Sequence, residues 1–137
     1  MDINLAAVLA ATVAMFAVGG FWYMVPFAKA WGEMHGFHKL SKKEQKDMQS
    51  KMAPLYGTQI VVTFISAWFL AHFIAAQPDV EFYKIAFWLW LGFIVPTEVS
   101  SVIFGGTEGK WIVKKIAISV GGSLACTLVG AWVISLF

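Results

Sequence analysis

The chain predicts an all-α fold, a polytopic membrane protein with four transmembrane helices in one bundle and a short amphipathic cytoplasmic loop helix. Three observations predict it. Four apolar stretches, Leu5 to Phe27, Leu55 to Ala76, Ile85 to Phe104 and Ile116 to Phe137, each supply the roughly 20 residues a helix needs to cross a hydrocarbon core about 30 Å thick. Glu98 is the only acidic or lysine residue inside them. Of the 137 residues, 59% are hydrophobic and 13% charged, a composition no soluble domain of this size could hide. The largest piece outside the stretches, 28–54, is too short to form an independent domain without disulfides or metal. Residues 1–137 are therefore expected to form a single membrane domain.

The first stretch reads as a retained span, because the chain opens Met1-Asp2 with no lysine before Lys29, whereas a signal peptide has a basic start and a shorter apolar segment. Its row Ala6, Ala10, Ala14 offers a small-residue face for close helix approach. The loop that follows contains a capping-box pattern, Ser41 with Glu44, and a surface helix is expected from about Lys42 to Ala53, ending before Pro54. Gly32 and Gly36 weaken any helix nearer the first span. The second span has the row Thr63, Ala67, Ala71, Ala75. The third is rich in aromatics and is interrupted by Pro96, which removes a donor and clashes with the Gly92 carbonyl, so a kink is expected between Gly92 and Pro96. The fourth has two small-residue rows, Ala117, Gly121, Ala125 and Gly122, Cys126, Gly130. Two such faces predict two neighbours, one within the bundle and one in a second copy. The first and third spans each carry a Gly-Phe step followed by Val-Pro, a weak hint of a duplicated two-helix unit.

Ten lysines and no arginine set the orientation. Lys29, Lys39, Lys42, Lys43, Lys46 and Lys51 lie in the first loop and Lys110, Lys114 and Lys115 in the third. Only Lys84 lies in the second. Positive charge favours the cytoplasmic side, so loops 28–54 and 105–115 are expected in the cytoplasm and both termini outside, in a multi-pass protein of the cell inner (plasma) membrane. The same lysines have a membrane explanation, and without arginine they do not make a nucleic-acid surface. Trp22, Tyr23, Trp31, Tyr56 and Trp111 are expected near the cytoplasmic headgroups, and Tyr83, Trp88 and Trp132 near the outer ones; Trp68 and Trp90 lie deeper.

Glu98 is the foremost candidate for chemistry, since an intramembrane carboxylate normally faces a bundle interior or a wet cavity. With Thr97, Ser101 and the Gly92 carbonyl it could form an ion or proton site; the alternative is a carboxyl group near the interface, protonated or bonded to a lysine such as Lys114. His72 in the second span is a further candidate for proton relay, though a lone histidine there more often makes an interhelical hydrogen bond. Glu33, His35 and His38 superficially resemble metal ligands, but nothing completes a four-ligand set, and no metal or cofactor is expected. Cys126, the sole cysteine, cannot form an intrachain disulfide. The segment Gly105-Gly106-Thr107-Glu108-Gly109-Lys110 lacks phosphate-loop spacing, and no nucleophile elbow, HExxH or dinucleotide motif is present.

Trp22-Tyr23, Pro26-Phe27, Lys29-Ala30-Trp31-Gly32, Ala71-His72-Phe73, Trp90-Leu91-Gly92-Phe93 and Val102-Ile103-Phe104 ahead of Gly105 and Trp111 form a combination with a counterpart. It resembles an uncharacterised family of small bacterial four-helix membrane proteins, catalogued as domain of unknown function 1761, over nearly the whole chain. The resemblance implies the fold and a bacterial inner membrane, and no activity. Three functions are consistent with the residues. A non-enzymatic structural or accessory component, surrounded by membrane lipids and acting as a homo-oligomer or a subunit of a larger complex, fits best. A small homo-oligomeric transporter or channel using Glu98 is the alternative, and a membrane enzyme would need Glu98 and the loop histidines to converge.

Overall fold

The structure is a computed structural model and describes residues 2–137. It is all-helical, with four helices long and apolar enough to cross a membrane. Helix α1 (Leu5–Met24) starts at Asn4, whose side chain accepts from the Ala6 and Ala7 amides. A turn at 25–27, entered at Val25-Pro26, leads into the short α2 (Ala28–Met34) and a 3₁₀ turn at Phe37–Lys39. Then come α3 (Lys42–Ala76), α4 (Phe82–Leu89), a π-helical turn at Trp90–Ile94, α5 (Val95–Phe104) and, after a second 3₁₀ turn, α6 (Ile112–Ser135). Gly36 and Gly106 take positive φ, 67° and 74°, a left-handed conformation that glycine adopts without a Cβ penalty.

Helix α6 is the hub. It packs most extensively on α1 and also contacts α4, α5 and α3. Membrane-length helices consecutive along the chain run antiparallel, as do α1 and α6, while α3 and α6 run parallel. Met15 meets Gly130 and Trp22 meets Gly122 along the α1–α6 seam, and Ile3 packs near Val133 and Ile134. One end of the bundle therefore holds both chain ends, and the other holds all the lysines except Lys84. The half near the chain ends has a dry core of Val8, Ala11, Met15, Ala67 and Ala71, continued by Leu70, Ala86 and Ala131. Its buried threonines satisfy themselves, Thr12, Thr63 and Thr127 each donating to the carbonyl four residues earlier at 2.7 Å.

Several expectations need correction. The surface helix over Lys42 to Ala53 does not stop before Pro54 but continues unbroken into the second span as one 35-residue helix, about 50 Å long at 1.5 Å per residue. Pro54 deprives only the Ser50 carbonyl of its helical donor, and residues 42–62 are almost all exposed, with room around the ring. Gly32 lies within α2, where the His38 ring closes over it so tightly that a Cβ would sit 2.8 Å from Nε2.

The core face of α1 is Ala7, Val8, Ala11, Thr12 and Met15, while Ala6 is exposed and Ala10 and Ala14 are half-buried. Alanines at 6, 7, 10, 11 and 14 offer two adjacent rows, and tertiary packing selected the other. On α3, Thr63, Ala67 and Ala71 are buried but Ala75 is exposed. On α6, Gly122 and Gly130 face α1, with Cys126 Sγ 3.5 Å from the position a Cβ on Gly19 would take. Gly121 also meets Trp22, Ala125 is half-buried and Ala117 exposed. The two rows thus meet at Trp22, since Gly121 and Gly122 lie against one indole.

The kink expected between Gly92 and Pro96 takes the form of a π turn, in which the Val95 amide donates to Trp90, five residues back. The wider turn makes room for the proline ring where an α-turn would press it on the Gly92 carbonyl. The two Val-Pro steps accordingly act differently: the helix stops before Pro26 and runs through Pro96.

Candidate functional site

At the lysine-rich end the close packing gives way to a half-open cleft of about 320 Å³, lined by Tyr23, Trp31, Thr97, Glu98, Ser101, Val102, Lys115 and Ser119. Four elements build it. The last turn of α1 supplies Tyr23, and the turn into α2 folds Trp31 back onto Tyr23 with ring centroids 4.6 Å apart. Helix α5 supplies Thr97, Glu98 and Ser101 beyond the π turn, and α6 supplies Lys115 and Ser119 one turn apart. Polar side chains from separate helices can converge here because the small residues that draw α1 and α6 together lie deeper in the bundle.

Two indoles fix the frame of this cleft to α6. Trp22 Nε1 donates to the Ile118 carbonyl at 2.9 Å, its ring lying against Gly121 and Gly122, where a Cβ would come within about 3 Å. Trp90 Nε1 donates from the other side to the Val120 carbonyl and to Ser123 Oγ, both at 3.1 Å. Ser123 Oγ in turn donates to Glu98 Oε2 at 2.9 Å and lies 3.0 Å from the Val120 carbonyl. One hydroxyl hydrogen serves these two acceptors, so Trp90, Ser123 and Glu98 form a chain in which the carboxylate is the terminal acceptor. The remaining carboxylate oxygen is free to bond a ligand.

At the rim, Lys115 Nζ lies 5.6 Å from the Trp31 ring centroid and 3.4 Å from His35 Nε2. His35 Nδ1 is 2.8 Å from the Trp31 carbonyl. A carbonyl only accepts, so Nδ1 carries the hydrogen and Nε2 offers a lone pair to the ammonium. Thr97 Oγ1 donates to the Phe93 carbonyl at 2.7 Å, leaving its lone pairs as acceptors. The cleft thus presents a carboxyl group, a lysine ammonium, two aromatic faces and the hydroxyls of Tyr23, Thr97, Ser101 and Ser119.

Of the four residues anticipated for an ion or proton site, Glu98, Thr97 and Ser101 share this cleft and His72 does not. His72 stays on α3, its Nδ1 2.8 Å from the Trp68 carbonyl and its ring beside Trp68 and Phe69. The alternative partner Lys114 does not pair with Glu98 but lies over Trp111. His35 and His38 have separate surroundings, the first at Lys115 and the second over Gly32. Tyr23, Trp31, Lys115, Ser119, Ser123 and Trp90 were not read from the sequence as site residues. A signal existed: Lys115, Ser119, Ser123 and Thr127 recur every four residues along α6, a polar stripe beside the small-residue rows.

Nothing among curated proteins or solved structures matches the chain. A family model described as "Protein of unknown function (DUF1761)" matches residues 6–135, nearly its whole length. With four membrane-length helices that share one hub and a polar cleft at one end, this chain is a member of the DUF1761 family.

Proposed function

We propose that this multi-pass protein is a non-enzymatic accessory component of the inner membrane whose cleft binds a polar ligand from the lysine-rich, cytoplasmic side. The observation that carries this reading is the contrast along the bundle axis. Glu98 and its neighbours open toward one end, while the Val8, Ala11, Ala67, Ala71 and Leu70, Ala86, Ala131 layers fill the other half. A single copy thus offers access to the carboxylate from one side and no polar route onward.

Accessibility tests this reading. In a Cys126→Ala background, a Ser101→Cys variant reconstituted with known orientation should react with a membrane-impermeant thiol reagent added on the lysine-rich side and resist it from the other. Labelling from both sides would overturn the reading. It would favour a homo-oligomeric transporter, for which the π turn beside Pro96 is the supporting observation, because such turns give helices a local hinge near functional groups. Proton or cation flux into liposomes that disappears in Glu98→Gln would favour the same alternative.

A further inference from the structure

Glu98 and Lys115 line the same cleft without neutralising each other. Among the described residues the ion pairs are Lys84 with Glu81 and Lys110 with Glu108. Glu98 is held by Ser123, and Lys115 lies over Trp31 beside His35. From Ser123, which holds Glu98, to Lys115 the α6 axis rises by eight residues, about 12 Å, and the two side chains form no ion pair. A ligand that satisfies both groups has an ammonium at one end and an anion several bonds away.

The chemistry of each end narrows the class. Around Glu98 the available groups are acceptors: the free carboxylate oxygen, the Thr97 hydroxyl lone pairs and the Ser101 and Ser119 hydroxyls. Such acceptors suit a primary ammonium, which has three N–H donors, better than a quaternary one, which has none. The faces of Tyr23 and Trp31 add cation–π attraction. At the rim, Lys115 suits phosphate as a point charge. The volume of about 320 Å³ is at the lower end of small-molecule sites and fits a headgroup-sized ligand. Trp31 and Lys115 stand at the mouth.

We infer that the cleft binds an aminoethyl phosphodiester, the zwitterionic headgroup chemistry of phosphatidylethanolamine, with its ammonium at Glu98 and its phosphate at Lys115. The inference rests on the cleft being a binding site open on one side. The purified protein, mixed in detergent with equal amounts of phosphatidylethanolamine, phosphatidylcholine and phosphatidylglycerol, should retain the first roughly tenfold over the others by native mass spectrometry, the effect of one or two charged hydrogen bonds. Glu98→Gln and Lys115→Gln should each abolish that preference, and Lys115→Arg should keep it. Should Glu98→Gln fail to fold, the rim substitution alone decides. Soluble glycerophosphoethanolamine distinguishes the sources: binding by calorimetry supports a free solute, and binding of the lipid alone supports the membrane lipid. Equal retention of all three lipids with no binding of the soluble headgroup overturns the inference. Combined with one-sided labelling of Ser101→Cys, that result rejects only the ligand, whereas two-sided labelling rejects the cleft reading itself.

Discussion

The two halves of the bundle solve the problem of helix association in lipid by different means. Near the chain ends, α1, α3, α4 and α6 meet through small side chains, with Ala11, Ala67, Ala86 and Ala131 fully buried. Toward the lysines, Trp22 and Trp90 reach α6 from opposite sides and donate to its backbone at Ile118 and Val120. Lipid tails provide no hydrophobic drive between helices, so contact depends on close packing or on polar bonds. The first half uses packing and leaves no space. The second uses longer side chains as braces, which hold the helices apart enough for a cleft.

The largest expected effect breaks the packed half. Gly130→Leu places a branched side chain where even a Cβ would collide with Met15 and touch Leu70, so we expect a loss of about 3 kcal/mol or failure to fold, measured by thermal unfolding in detergent. Ala117→Leu, at an exposed position of the same helix, should leave unfolding unchanged. Because Gly130 is buried within the protomer, its substitution tests the fold rather than self-association.

A smaller effect sharpens the contrast from the braced side. Trp22→Phe and Trp90→Phe each remove indole hydrogen bonds while keeping an aromatic ring, and each should cost about 1 kcal/mol. Only Trp90→Phe should also alter the environment of Glu98, because only Trp90 touches Ser123. Infrared or NMR detection of the Glu98 carboxyl would separate them; equal perturbation by both would show that the two indole braces do not act independently.

The smallest effect lies outside both halves, where α3 projects past the bundle. Glu44 is held below its ordinary carboxylate range by the Ser41 backbone N–H and then by the Ser41 hydroxyl. A depressed folded value means that the capping box stabilises the helix start above the unfolded Glu value and is lost as pH falls through the depressed one. Helical NMR shifts of residues 42–45 should therefore fade on acidification, and in Ser41→Ala they should be weaker at neutral pH as well, with no change in the melting of the bundle.

The capping box was legible because Ser41 and Glu44 are three residues apart and act locally. The helices were legible too, since apolar length needs no partner to be recognised. The break at Pro96 was visible, but its form as a π turn was not. The cleft was half legible: Glu98 was conspicuous as a carboxylate among apolar neighbours, while Tyr23, Trp31 and Lys115 resembled ordinary interfacial residues. His72 was equally conspicuous, yet its partner is its own helix backbone at Trp68. Isolation in sequence marks a residue as unusual without saying which helix it faces.

The sequence by itself determined four membrane-length helices, the segregation of nine lysines to two loops and a polar residue deep enough to need a partner. Hydropathy and charge are sums over neighbouring residues, and no long-range contact changes them. Tertiary structure alone decided which alanine row of α1 is buried, that α3 continues through Pro54, and that Trp22 and Trp90 converge on α6. Those outcomes depend on helix rotation and on the space around each ring, and a rotation of about 100° per residue exchanges one face for the next.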